Sequence, residues 1–570
     1  MNNRGVSIKY GDVAPGAKEN FRPELTFGEI TDFSKLELLN QYNVEIPNVS
    51  NPCELYQTVL DGSASAFPEV PKNENLGIWS EEVSDESGYF FPPLRLELTA
   101  DAQYSSQGLT FTFDTDNNIY PLSMTIQWLR ITDDGIEQLE EDYFEPDNAF
   151  YFCHKKVENY NKVVIVFYDL NMPHNRLKLR AIDFGYGTYF TGRDLRNVKI
   201  SQNIDPISTE IAINTMDFTL DSKSNIEYSF IQKQPLSVYF NGDLIATTFV
   251  TKSSRKSKTV WDVQSEDYIG TLNDIEFAGD IYSEKNAVEL LNEISSTANV
   301  PFEIDSIFND ITVSGYIPRT TCRIALMQVC FAIKAVADTS NSAAVKIFKI
   351  SSDLSQEIPL ERMYQGGKTD YSDAITAVLL SAHTYSKSSE SIELYKSDEE
   401  DITDTAIMIS FSEPVHSLSI TNGTILEGKT NYAIIQPSKG CVLSGKKYNH
   451  VVTTYRKNNP VVAVDDLPKN VEIKDATLVS PNIAQDILEY CFKYLTATES
   501  ASAKIVNGFK VVKTENSDGT FSETFEYDNP VNIGDIIKIP RGYLNDYTGR
   551  VISATYSLNG NIISKEVKIK

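Results

Sequence analysis

The 570-residue sequence predicts a mainly β protein with α/β insertions: an N-terminal jelly-roll sandwich followed by two β-barrels. Three observations predict it. Tyr and Phe are abundant (30 and 28 residues), and Thr, Ile and Val recur in short runs, which suits pleated, half-buried surfaces. Many short segments alternate apolar and polar residues, the period of two that a strand with one buried face imposes. Turn pairs such as Asn-Gly punctuate those segments. The length suggests about four domains at ~150 residues each. An apolar content of 41% is too high for a disordered chain.

Residues 1–176 read as the N-terminal sandwich. Up to about Pro71 the sequence is irregular, with one short helix expected at Ser34–Tyr42 and a small-residue stretch at Asp61–Phe67. Alternating strands follow at 94–100 (LRLELTA), 109–115 (LTFTFDT), 124–131 and 163–170, with a turn read at Tyr104–Gly108. Residues 177–280 form a second all-β unit. In it Asn241-Gly242 is a hairpin tip, because a tight type I′ turn needs residues tolerant of positive φ.

Residues 281–352 are α/β. Asn286 followed by Glu289 has the form of a helix N-cap with a carboxylate near the positive helix end. The helix expected over Thr321–Val336 is apolar on most of its surface and therefore buried. Residues 353–570 return to β. Strands are expected at 374–387, 391–397, 407–412, 417–428 and 441–457, and a helix over 481–496 opens with Ser480 as N-cap and Pro481 at the first position. The last strands carry a second hairpin tip at Asn559-Gly560.

Two resemblances rest on these segments. The stretch SGYFFPPLRLELTADAQYSSQGLTFTFDTDNNIYPLSMTIQWLR resembles the discoidin-type, galactose-binding jelly roll found at the start of some phage tail proteins. From 177 onward the order of elements resembles the central hub proteins of phage tails and contractile injection particles. The Gly-containing first strand, STEIAINTMDFTL, the QPLSVYFNG hairpin, the exit strand DVQSEDYIGTLNDIEFAG and the ITVSGYIPRTTCRIALMQVCFAIKA helix carry it.

The resemblance implies a first hub barrel at 177–280, an α/β insertion at 281–352, and a second barrel at 353–570. That barrel would be built from 353–400 with 530–570, with an inserted β segment at about 400–475 that has no clear counterpart. It also implies a homotrimer whose alternating barrels form a pseudo-six-fold collar between a six-fold tail tube and a three-fold tip or spike. The partners would be tail-tube or distal tail protein, the tip protein and a tape-measure protein, in a virion tail assembled in the host bacterial cytoplasm. No peptidase or lysozyme extension follows Lys570, so wall-cutting activity is not expected.

Charge and cysteine usage fit that reading. With 79 acidic against 51 basic residues the net charge is −28, which repels nucleic acid, and a channel of that sign would let a polyanion pass. The short basic run Lys252–Lys258 reads as a solvated strand connection. Cys53, Cys153, Cys322, Cys330, Cys441 and Cys491 form no CxxC pair and read as small buried hydrophobes of a reducing compartment. The N-terminus lacks an apolar signal region, and no run reaches the ~18 apolar residues of a membrane helix.

The sequence offers no catalytic, cofactor or metal residue. There is no GxSxG, HExxH or P-loop, and Gly185-Tyr186-Gly187 has no following helix to make a dinucleotide loop. His383 and His450, inside strands, read as hydrogen-bonded sheet residues. Glu137, Glu140 and Glu141 read as a solvated loop. Asp398–Asp404 lacks the Gly and Glu spacing of a calcium loop. The alternative function is receptor or cell-surface glycan binding through the sandwich, with Trp79, Tyr89, Phe90 or Trp128 as ring platforms; Trp128 reads as core.

Overall fold

A computed structural model describes residues 5–14, 16–23, 78–80, 82–115, 117–132, 135–222, 228, 230–240, 242–397, 405–460, 471–506, 510–515, 521–526, 531–541, 544–559 and 562–570. The helix expected at Ser34–Tyr42, the stretch Asp61–Phe67 and the acidic run Asp398–Asp404 lie outside them. The described fold is mainly β, as expected. It divides into two compact units, one centred on residues 9–189 and one on 190–225 with 231–570.

In the first unit, β1 (Tyr89–Thr112), β2 (Met124–Thr132), β3 (Gly135–Phe144) and β4 (Phe150–Asp169) lie in one six-stranded sheet in the order β1-β4-β2-β3. Alternation drives the burial. Leu94, Leu96 and Leu98 of β1 turn inward opposite Phe167, Ile165 and Val163 of β4. Farther along, Leu109 and Phe111 turn inward again, and all join one core with Met124, Ile126 and Trp128. The turn read at Tyr104–Gly108 is instead a series of register shifts inside β1. Ser and Gly suit a bulge as well as a turn, and Gly108 has φ +147°. Residues on both sides of these bulges in β1 and β4 join the same core.

In the second unit, eleven of the thirteen strands of the main sheet lie wholly inside the unit. We label β5 (Leu195–Asn203), β6 (Thr215–Asp221), β7 (Pro235–Phe240), β8 (Asp243–Arg255) and β9 (Val260–Glu266). These run in the order β7-β8-β9-β6-β5. Phe240 pairs with Asp243 and Gly242 stands at φ +95°, as the expected hairpin requires; Asn241 lies outside the described residues.

The α/β layer follows. Helix α1 (Ala287–Ala298) is capped by the Asn286 side chain, which accepts from the Val288 and Glu289 backbone N–H groups at 2.9 and 3.1 Å. Strand β10 (Thr312–Ile317) and helix α2 (Cys322–Ile333) complete it. Helix α2 is shorter than expected because Lys334 turns left-handed, closing the last turn. Leu290, Leu291 and Ile294 of α1 meet Leu326, Val329 and Cys330 of α2 in one core.

The chain then adds β11 (Met363–Tyr371), β12 (Ala377–Lys396), β13 (Val415–Gly428), β14 (Tyr432–Asn458), β15 (Val471–Asp475) and α3 (Pro481–Leu495). It ends in β16 (Glu499–Val506), β17 (Ile536–Arg541), β18 (Leu544–Asn559) and β19 (Ile562–Ile569). The main sheet continues β5-β18-β19-β16-β11, with β17 also paired to β18. Strand β18 ends at Asn559, which pairs with Ile562; Gly560, the other half of the expected hairpin tip, lies outside the described residues.

The strands read at 374–387 and 391–397 merge into β12, and β12 does not join 530–570. It pairs instead with β14 and β15 in a separate five-stranded sheet that takes in the segment of about 400–475. Period-2 alternation fixes which face of a strand is buried, not which neighbour it takes. Helix α3 packs on one face of this sheet through Ala484, Ile487, Leu488 and Cys491. Pro481 opens the helix as expected, but the Ser480 hydroxyl makes no capping bond.

Candidate functional site

Three surfaces of the second unit and one of the first carry chemistry worth building from the residues up. The first is the end of the main sheet. Among the described residues strand β11 pairs only with β16, so it stands at the end of the strand order with one edge unpaired there.

The second is the β8–β9 hairpin. Its tip carries Lys252, Arg255, Lys256 and Lys258, all exposed. Arg255 lies over the Trp261 ring at 5.0 Å, and Lys256 pairs with Asp262. Two of the four charges are therefore engaged within the hairpin, in keeping with a solvated connection.

The third is a row of titratable groups that the sequence reading missed. His383 on β12 is buried, with its Nε2 2.6 Å from Asp475 Oδ1 on β15 and its Nδ1 2.8 Å from His450 Nε2 on β14. The His450 ring lies flat on Tyr385, centroids 4.5 Å apart at 3°, and Tyr385 in turn meets Tyr316 of β10 at 5.5 Å. Burial and the neighbouring His383 ring hold His450 below the usual imidazole value, against the pull of Asp475 and Glu413. The register brings the row together: His450 stands opposite Tyr385 and Asp475 opposite Ser381. Sequence could have found it only by pairing β12 with β14 first. No serine, threonine or cysteine side chain is hydrogen-bonded to either ring among the described residues, so neither ring is paired with a nucleophile there.

The remaining histidines stay apart. His154 and His174 are exposed in the first unit, and His416 bonds Ser417 and the Ser388 carbonyl. Among the described residues no three His, Cys, Asp or Glu side chains gather as a metal could require. Cys153, Cys322, Cys330, Cys441 and Cys491 are all buried and free, and burial pushes the Cys330 and Cys491 thiols up to about 12. No helix of the described residues is long and apolar enough to cross a membrane.

In the first unit, Glu137, Glu140 and Glu141 lie on edge strand β3 rather than in a loop. An edge strand needs ladder bonds on one side only, and its charges here reach Arg130, Lys155 and Gln127. Of the candidate ring platforms, Phe90 and Trp128 are core, whereas Tyr89 and Phe91 are 47% and 79% exposed with ring centroids 6.2 Å apart. The Trp79 side chain lies outside the described residues.

The sequence matches no protein-family model and no curated protein. Among solved structures, the chain is similar to a tail protein from Neisseria meningitidis MC58, with 9% identity over 66% of this chain and 95% of that one, and a TM-score of 0.40. It is similar to the 43 kDa tail protein of prophage MuSo2 from Shewanella oneidensis at 8% identity, covering 67% and 95% of the two chains, with a TM-score of 0.39. It is also similar to the prophage tail protein gp18 from Listeria monocytogenes EGD-e at 11% identity, covering 67% and 90%, with a TM-score of 0.37.

Proposed function

We propose that this chain is a structural tail protein of a phage or phage-derived particle, acting as a homotrimeric hub. In this reading three copies close a ring around a channel, join a six-fold tail tube to a three-fold tip, and let DNA or a tape-measure protein pass. The observation that carries the reading is the β5–β18 pairing. It joins strands of the two β regions that the family resemblance assigns to alternating barrels in one sheet, with the α/β layer between them in sequence. The free side of β11 supplies an edge for a neighbouring copy, and ring closure needs such a contact to be heterologous. The acidic composition supports a lumen that does not hold polyanions.

Mass photometry and electron microscopy of the purified protein, alone and with tail-tube and tip proteins, test it. A trimeric ring with a central channel is expected. A chain that stays monomeric at high concentration with both partners present overturns the hub.

A second reading has one observation of its own. The exposed Tyr89–Phe91 pair could stack on a sugar ring, making the first unit a cell-surface glycan binder. Glycan-array binding lost on Tyr89→Ala or Phe91→Ala would favour it; no binding to any glycan removes it.

A further inference from the structure

The five-stranded sheet leaves one long edge uncovered among the described residues. Over Val442–Lys447 strand β14 lies between β12 and β13. Strand β13 begins at Val415, opposite Lys447, whereas β14 runs on to Asn458 with β12 alone beside it.

Register decides which backbone groups look outward. Opposed residues of an antiparallel pair alternate between exchanging both hydrogen bonds and exchanging none. The Asn459 N–H donates to the Thr376 carbonyl at 2.8 Å, and every second pair from there, down to Thr384 with Val451, repeats that bonded geometry. The pairs between are unbonded. His383, opposite Val452, accordingly sends its N–H to the Val479 carbonyl on the β15 side at 2.8 Å. His450, Val452, Thr454 and Arg456 therefore turn N–H and C=O toward the uncovered edge.

This edge lacks the usual defences. Exposed edges are blunted by proline, lysine, a bulge or a covering element. From Tyr448 to Tyr455 the sequence is YNHVVTTY, without proline, lysine or carboxylate, and its register with β12 is unbroken. Its β-branched residues favour a strand. Val451 and Val452 point to opposite faces of the sheet and are 58% and 49% exposed. No acidic residue stands between Lys446 and Lys457, and Lys446, Lys447, Arg456 and Lys457 flank the run. In a chain of net charge −28, a second copy meets least repulsion here.

An edge to fit it is already on the molecule. The Ser372 N–H donates to the Thr498 carbonyl at 2.8 Å, so by the same alternation Asp370 is bonded to β16 and Thr369 and Tyr371 of β11 turn outward. Tyr371 is 72% exposed, and Asp370 with the exposed Asp373 brings negative charge to meet the basic flanks.

We propose that His450–Arg456 of β14 is the docking edge for strand β11 of a second copy, so that each copy gives one edge and receives on the other. The inference rests on the hub reading and names both halves of the heterologous contact that ring closure needs. Most of β14 falls in the inserted segment of about 400–475, to which the hub resemblance assigns no counterpart. Main-chain bonds carry the contact and the charges only orient it, so salt still favours it by screening the net repulsion.

Mass photometry, hydrogen–deuterium exchange and crosslinking of the full chain test it. Val452→Pro removes an outward N–H and costs the monomer no ladder bond. It is expected to raise the concentration needed for the trimer roughly tenfold, while a control peptide over 124–132 keeps its protection. Val452→Lys leaves the backbone intact and should act in the same direction if the proline variant does not fold. In the wild type, peptides over 446–458 and 363–371 should gain protection together as concentration rises through assembly. Mixed light and heavy copies should give links from Lys368 of one to Lys446 or Lys457 of another. A trimer that neither substitution weakens overturns the docking edge and leaves the hub standing. Protection of 446–458 that appears only with tail-tube or tip protein assigns the edge to a different partner and likewise overturns it. A chain that stays monomeric with both partners present removes the hub and this inference with it.

Discussion

Gly315, in strand β10, shows how one missing side chain sets a contact between layers. A Cβ there would lie 2.5 Å from the Thr477 carbonyl oxygen and 2.7 Å from Leu478 Cα, at φ +153°. Both neighbours are backbone, so neither can swing aside. Gly315→Ala is expected to cost about 1–3 kcal/mol in denaturant unfolding. Two buried charges of the second unit set opposite pH slopes. Burial raises Asp267 to about 7, although Thr339, Asn214 and Gly270 all donate to it. Burial lowers Lys565 to about 7, with Val531 and Tyr556 as its partners. Between the usual aspartate value and about pH 7 the folded chain holds Asp267's proton and the unfolded chain does not, so that contribution to stability falls as pH rises. From about pH 7 to the usual lysine value the unfolded chain alone holds Lys565's proton, so stability rises with pH. The pair therefore contributes a trough near neutrality. Asp267→Asn should flatten the acid limb and Lys565→Met the alkaline limb of stability against pH.

At the scale of elements, helix α3 is the clearest case of a sequence pattern that carries through to packing. Its stripe of Ala484, Ile487, Leu488 and Cys491 was readable at helical spacing, and each is buried against β12 and its neighbours. Leu488→Ala is expected to lose about 2–5 kcal/mol. The five described cysteines should resist maleimide at neutral pH until the chain is unfolded, since burial raises the described thiols. Labelling of any of them in the native protein by peptide mapping would contradict the packing. The Asn286 cap and the pairing of Phe240 with Asp243 were equally legible, because both are decided within a few residues. What was not legible depended on distant partners. Tyr104–Gly108 has turn composition but serves as a bulge, and only β4 alongside settles that. Strand β12 has a readable face, but its neighbour had to be β14 before His383 and His450 could be seen to meet. Thr339 likewise reaches Asp267 from 72 residues away, and the Val531 carbonyl meets Lys565 from 34.

At the scale of the whole molecule, a net charge of −28 means that any assembly of identical copies works against its own field. Trimer formation is therefore expected to strengthen with salt between about 50 and 500 mM, as screening shortens the reach of that repulsion. Sedimentation across that range checks it; a trimer that dissociates with salt would point to contacts made by opposite charges, such as the basic β8–β9 tip. The β5–β18 pairing has a different reach, in time. Asn203 is bonded across to Ser553, about 350 residues later in the chain. On a ribosome adding about 5–20 residues each second, β5 stands with one bare edge for tens of seconds before its neighbour exists. The first half of the main sheet must wait through that interval without pairing to another nascent chain. Interrupting synthesis anywhere between β6 and β18 should leave truncated products that associate through β5, and a chase that completes the chain should release them.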